Sequence, residues 1–250
     1  MTRFDTIQRK VNAALKHYGL IADGDRILIG LSGGKDSLAL VEFLGERAKI
    51  YRPRFSVVAA HIAVDNVPYQ SDLAYLEQFC AAHDVQFVHR TTHFDASTDE
   101  RQSHCFLCSW HRRKALFSLA EELGCNKIAL GHHRDDMLET LLMNQIFQGA
   151  FGSMPPLLRM DKFDMTIIRP LADVRETELQ RLAEERGYHK QVKNCPYEHE
   201  SHRSDVRRLL EQMERLNPNA ASSLWNSMMH VQTQYLPKKL SKEERVKNKE

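Results

Sequence analysis

Ser32-Gly33-Gly34-Lys35-Asp36-Ser37 brings together the groups that a bound polyphosphate needs. Gly33 and Gly34 let backbone N–H groups approach an anion without interference from a Cβ, and a helix starting just afterwards would add its positive end. Ser32 and Ser37 contribute hydroxyls and Lys35 a cation. Asp36 would repel a bare pyrophosphate, so its presence calls for an intervening Mg²⁺. The spacing is not that of a Walker loop, which places four residues between its first glycine and Gly-Lys-[Ser/Thr].

A second set of reactive groups is sulfur. The chain has five cysteines, Cys80, Cys105, Cys108, Cys125 and Cys195. The odd count argues against a disulfide framework, and the polar, mixed-charge stretch Met1–Lys10 does not read as a signal peptide. Cys105-Phe106-Leu107-Cys108 can serve as a redox pair, half a zinc site or half an iron–sulfur site. Cys195 offers a third thiolate far along the chain. Three thiolates would leave one iron of a 4Fe–4S cluster open to sulfide or substrate sulfur. Zinc completed by His104, His111, His199 or His202 is the rival, and residue types alone leave both open. Cys80 and Cys125, at apolar helical positions, read as small buried hydrophobes.

Asp135 and Asp136 follow an expected strand and are assigned to metal or acid–base work, with helix N-capping as the plainer alternative. Gly131, at the end of the same strand, joins the nucleotide-binding set with His61 and Ala63, where the backbone would meet adenine. His132 and His133 are candidates for phosphate or substrate contact, and Asp65 for the ribose. Arg112, Arg113 and Lys114, beside Trp110, form the best RNA-binding signal, against the bland reading of a solvated helix face. His202, Arg203, Arg207 and Arg208 form a second such patch. Met137, Leu138, Leu141 and Leu142 recur at helical spacing and belong to the core.

Positioning these groups requires alternating elements. Helical spacing is expected over Phe4–Tyr18, Ser37–Ala48, Asp72–His83, Ser109–Leu123, Asp136–Phe147 and Glu176–Arg186. Short apolar runs at Arg26–Leu31, Ser56–Ala63, Val85–His89, Lys127–Leu130 and Thr166–Arg169 read as strands. The alternation predicts an α/β fold with a doubly wound parallel sheet. Residues 1–172 form the expected nucleotide domain, 173–236 a helical region contributing Cys195, and 237–250 a charged tail without fixed structure.

The 250 residues suffice for one sizeable core. Net charge is +2, and the tail from Lys238 carries six Lys/Arg against three Glu, so the body is close to neutral. That balance neither demands nor forbids a nucleic-acid partner. No run approaches the roughly 20 apolar residues of a membrane span, which leaves a cytoplasmic protein as the expectation.

Taken together, Ser32–Ser37, Cys105-x-x-Cys108 opening a basic helix, Gly131-His132-His133-Arg134-Asp135-Asp136, Met154-Pro155-Pro156 and Ile168-Arg169-Pro170-Leu171 resemble the tRNA 2-thiocytidine synthetase family of PP-loop ATP pyrophosphatases. The resemblance covers roughly residues 25–232. It implies a 4Fe–4S cluster on Cys105, Cys108 and Cys195, with ATP and Mg²⁺ as the other small-molecule requirements. It also implies a tRNA substrate, a sulfur donor such as a cysteine desulfurase, and a chain able to form a homodimer. In that chemistry Lys35 and the loop hold pyrophosphate, Asp36 binds Mg²⁺, and Asp135 and Asp136 act at the activated base. Where the family pattern reads Cys-Asn-Leu-Cys, this chain has Cys195-Pro196-Tyr197-Glu198, so one family cysteine is absent and three remain. The alternatives are a PP-loop enzyme acting on another nucleoside or a small molecule with zinc in place of the cluster, and a non-catalytic cluster carrier.

Overall fold

The computed structural model describes residues 2–66, 71–94, 104–161, 163–189 and 202–237, the side chains of His104 and Cys105 excepted. In chain order these residues form α1 (Arg3–His17), β1 (Asp25–Gly30), α2 (Lys35–Ala48), β2 (Phe55–Val64), α3 (Leu73–Ala82), β3 (Gln86–Thr92) and α4 (His104–Glu122). There follow β4 (Lys127–Ala129), α5 (Arg134–Gln148), β5 (Leu157–Arg159), β6 (Thr166–Ile168), α6 (Glu176–Arg186), α7 (Arg203–Leu216) and α8 (Ala220–Met229).

The strands make one sheet in the order β3-β2-β1-β4-β6-β5. All neighbours are parallel except β5, which runs antiparallel to β6. Alternation along β1 explains why both faces are covered. Ile27 and Ile29 point into a core shared with α1, α2 and α6, through Val11, Leu40 and Leu182. Leu28 points the other way, into a core with Leu116, Leu119 and Ala120 of α4. Met137, Leu138, Leu141 and Leu142 are buried, as their spacing predicts, and so are Cys80 and Cys125. Burial pushes the Cys80 thiol up to about 12, which suits a packing residue rather than a nucleophile.

Two elements differ from expectation. Edge strand β5 has no counterpart among the expected strands, because three exposed residues after two prolines carry no period-two signal. Helix α4 begins at His104, not near Ser109, so Cys105 and Cys108 lie within its first two turns rather than ahead of it.

Strand order places β2 and β3 on one side of β1 and β4 on the other. The chain therefore reverses direction between β1 and β4, and the crevice at their carboxyl ends is where open α/β sheets take ligands. The opposite, amino edge of the same two strands is closed by an ion pair, Lys127 Nζ to Asp25 Oδ2 at 2.7 Å. Asn126 Nδ2 and the N–H of Ala22 also donate to the Asp25 carboxylate, at 2.8 and 2.6 Å. Burial pushes Asp25 upward, but these donors outweigh it and hold the carboxyl below its ordinary range.

The chain divides into two compact units, Met1–Val206 and Arg207–Glu250, so α6 belongs to the first, beyond the boundary expected at residue 172. Ion pairs Lys10–Glu178 and Arg3–Glu185 tie α6 to α1. No described helix is long and apolar enough to cross a membrane.

Candidate nucleotide and sulfur site

The loop between β1 and α2 is shaped for an anion. Gly33 adopts φ +80°, a conformation that side chains disfavour, and turns the chain into α2. Gly34 occupies the N-cap position and offers no side chain to the helix. The opening N–H groups of a helix have no intrahelical acceptor, so those of α2 are left for a ligand. The hydroxyls of Ser32 and Ser37 lie 3.1 Å apart, and Ser37 Oγ also donates to Gly34 O at 2.9 Å. They brace the loop from inside.

Across the crevice, the segment after β4 presses against this loop. A Cβ added to Gly131 would sit 3.1 Å from both Asp36 C and Ser37 N. A side chain here would push on that backbone by a few tenths of an ångström, which gives Gly131 a steric role beside the expected nucleotide contact. His133 caps α5 reciprocally with Asp136: His133 N donates to Asp136 Oδ2 (3.1 Å), and Asp136 N to His133 Nδ1 (3.3 Å).

Asp36 is the least satisfied acid of the group. Its Oδ1 is buried without a hydrogen-bond partner. Burial raises its pKa above the ordinary value, and the charge of nearby Asp136 adds to the rise against the opposing pull of Lys35 and His133. An orphaned carboxylate oxygen beside a second carboxylate, next to a loop of open N–H groups, is the donor chemistry that a divalent cation would use. Among the described residues no three His, Cys, Asp or Glu side chains converge as a complete metal site.

Lys35 is held between two carboxylates, Asp36 Oδ2 at 3.2 Å and Glu176 Oε1 at 3.1 Å. Burial pulls its pKa down, but the two acids outweigh burial and raise it, so the ammonium is charged. Glu176 escapes sequence reasoning, where it is merely the start of a helix. Asp135 explains its placement. Asp135 Oδ2 accepts from the N–H of Glu176 (2.7 Å) and Oδ1 from Arg175 Nε (2.8 Å). Of the two acids assigned to catalysis, Asp136 caps its own helix and Asp135 anchors the start of α6, which carries Glu176 onto Lys35.

His61 is buried, and its Nδ1 donates to Leu31 O at 2.8 Å, bracing the residue that precedes the loop. Burial lowers its pKa, with the charge of Arg112 adding to the shift. Ala63 lies near the carboxyl end of β2, and Asp65 just beyond accepts from His93 Nδ1 at 2.7 Å on the surface. Arg113 and Lys114 are exposed, and Lys114 Nζ stands 5.4 Å over the Trp110 ring. Arg112 lies within electrostatic reach of His61, and Arg113 within reach of Arg169. The basic run of α4 thus borders the carboxyl ends of β2 and β6.

Burial also pulls His132 down to about 4, with Arg169 adding to the shift, so its imidazole is neutral near pH 7. In the second basic patch, His202 stacks on Phe147 with ring centroids 5.1 Å apart, and Arg203 Nε pairs with buried Glu139 at 3.2 Å. Arg207 and Arg208 belong to the other compact unit.

On the sulfur side, Cys105 and Cys108 are three residues apart in the opening turns of one helix. Cys108 is partly buried against Val64, Phe94 and Leu107. Cys195 lies outside the described residues, as does the charged tail.

Comparisons with known proteins bear on this arrangement. The PP-loop domain ATP_bind_3 matches residues 4–213. The chain is 36% identical over 241 residues to a tRNA-cytidine(32) 2-sulfurtransferase of Geobacter sulfurreducens, covering 94% of this chain and 93% of that one. It is 35% identical to the protein of the same name from Geobacter metallireducens, with the same coverage. Among solved structures it is similar to the U34-tRNA thiolase NcsA from Methanococcus maripaludis with its [4Fe-4S] cluster. That match has a TM-score of 0.75 and 25% identity, and covers 94% of this chain and 81% of that one.

Proposed function

Since the chain belongs to the tRNA-cytidine(32) 2-sulfurtransferase family of PP-loop, ATP-using enzymes, we propose that it thiolates a cytidine of tRNA. In this reading ATP first activates the pyrimidine C2 carbonyl. The observation that carries the reading is Asp36: its buried, unpartnered carboxylate oxygen lies at the start of a helix whose first N–H groups are open.

The proposed chemistry has two steps. The C2 carbonyl oxygen attacks the α-phosphorus of ATP, forming a C–O–P bond as pyrophosphate leaves. Sulfur, arriving as a sulfide-level nucleophile, then adds at C2. The C–O bond breaks, and AMP departs carrying the former carbonyl oxygen. Adenylation is needed because that oxygen is otherwise a poor leaving group. The residues on this chain act mainly on the first step. The loop N–H groups and Lys35 hold the departing pyrophosphate, Asp36 would hold Mg²⁺, which would offset charge on the leaving phosphates, and Gly131 lets the segment after β4 pack against the loop. Glu176 sets the position of Lys35, and Asp135 sets that of Glu176. Arg112, Arg113 and Lys114 supply phosphate attraction for the RNA.

Cys105, Cys108 and Cys195 match in type and number a 4Fe–4S cluster with one iron left open. Such a cluster would supply a binding place for the transferable sulfur. A sulfur donor such as a cysteine desulfurase, assembly as a homodimer, and a cytoplasmic location all fit this reading.

The test is pyrophosphate release from ATP with and without an unmodified tRNA transcript. Release that requires the transcript and falls at least about a hundredfold in Asp36→Asn supports the proposal. Equal release without RNA would redirect it to a small-molecule acceptor.

A further inference from the structure

Arg169, just past the carboxyl end of β6, is 5% exposed. Its Nη1 donates to Pro155 O at 2.6 Å and its backbone N–H to Pro156 O at 2.8 Å. Its Nε is buried without a partner, and no described carboxylate pairs with it. The charges within reach of it are unfavourable, since Arg113 of α4 repels it. Next to it, His132 Nδ1 is likewise buried without a partner. A buried guanidinium without a counter-ion is costly, and one polar carbonyl does not offset the lost hydration. Proteins retain such a group where an anion arrives to complete it. The fork of guanidinium donors matches a planar or tetrahedral oxyanion in two-point contact.

We propose that Arg169, with Arg113 and His132, forms a second oxyanion pocket that takes a phosphate group other than the pyrophosphate held by Ser32–Ser37. The position favours a phosphodiester of the RNA over a nucleotide phosphate. The pocket begins in the interior at Arg169 and ends at exposed Arg113, on the helix that also carries Arg112, Lys114 and half-exposed Trp110. A backbone phosphate seated on Arg169 would fix one nucleotide beside the crevice while its base reaches the Asp36 side. The proposal rests on the reading of this crevice as one that joins ATP and RNA, and it deepens that reading by assigning the residue that registers the strand.

The experiment compares the full-length protein with Arg169→Met and Arg113→Gln. Binding of an unmodified tRNA transcript and of AMP is measured across a salt series, with melting temperature and pyrophosphate release recorded on the same preparations. Arg169→Met is expected to weaken transcript binding about 10- to 100-fold and to flatten its salt slope by about one phosphate, with AMP binding unchanged. Its melting temperature should equal or exceed the wild type, because an uncompensated buried charge has been removed. Arg113→Gln should give the same pattern more weakly. Loss of AMP binding with normal transcript binding would keep the pocket but assign its phosphate to the nucleotide. Unchanged binding of both probes in Arg169→Met would overturn the proposal. If Arg169→Met does not fold, unchanged binding in Arg113→Gln, a surface change that leaves the core intact, would do the same. A protein that binds transcript through these arginines yet never releases pyrophosphate would refute the thiolation reading and leave this one standing.

Discussion

The carboxyl ends of β1 and β4 look alike in sequence, each strand running through glycine and a charged segment into a helix. Physically they do opposite things. After β1, polar groups are left open: Asp36 Oδ1 has no partner and α2 has no side-chain cap. After β4, the acids are spent on the fold, Asp136 on its own helix and Asp135 on the start of α6. One segment leaves polar groups without protein partners, and the other packs closely against it. An acid near a helix N-terminus therefore has no role until its partners are counted, because a satisfied carboxylate stabilises and an unsatisfied one waits.

The sharpest test of the contrast is to neutralise one acid in each segment. Asp36→Asn should lower pyrophosphate release by about 10²–10³-fold while leaving thermal stability unchanged or raised. Asp135→Ala should do the reverse. It removes the acceptor of the Arg175 Nε–H and of the Glu176 N–H, so chemical denaturation should report a loss of about 1–3 kcal/mol. Its rate deficit should be the smaller of the two and should follow the misplacement of Lys35. If Asp135→Ala kept full stability and lost as much activity as Asp36→Asn, the division between the two segments would fail.

A smaller effect tests the contact between them. Gly131→Ala places a Cβ against the backbone of Asp36 and Ser37, where nothing flexible can yield. A cost of about 1–3 kcal/mol is expected, with a raised KM for ATP because the loop shifts. A fully normal KM would mean that the two segments do not need their close approach.

The smallest effect lies at the amino edge of the same strands. The folded-state pKa of Asp25 is depressed, so its contribution is fully present above its unfolded value near 3.8 and is lost as pH falls through the lower folded value. An acid titration of stability should show that loss in the wild type and a weaker one in Asp25→Asn, with activity at neutral pH nearly equal. Activity that tracked Asp25 would show that the amino edge takes part in the chemistry.

The sequence made the first segment legible because its signal is local. Glycine, lysine and serine at fixed offsets imply open N–H groups with no knowledge of the rest of the chain. The β-α alternation was legible for the same reason, down to the burial of Met137 and Leu141. Long-range pairing was not. Asp135 takes its meaning from Arg175 and Glu176, some 40 residues away, and Glu176 takes its own from Lys35 across 141. Arg169 belongs to Ile168-Arg169-Pro170-Leu171, but its burial without a counter-ion appears only once β6 and α4 are placed. Strand β5 was hidden by its length, and the start of α4 because Cys105 and Cys108 carry little helical signal of their own.

The most direct test of the account uses protein purified without oxygen and supplied with ATP, Mg²⁺, a sulfide source and an unmodified tRNA transcript. Pyrophosphate release is followed in parallel with nucleoside mass spectrometry of the RNA. An oxygen-to-sulfur mass shift confined to a cytidine is expected, with pyrophosphate formed in step with it. Both should be lost in Asp36→Asn, and the mass shift in Cys108→Ser. Thiolated cytidine formed at an undiminished rate by Asp36→Asn, or pyrophosphate formed with no change in the RNA, would contradict it.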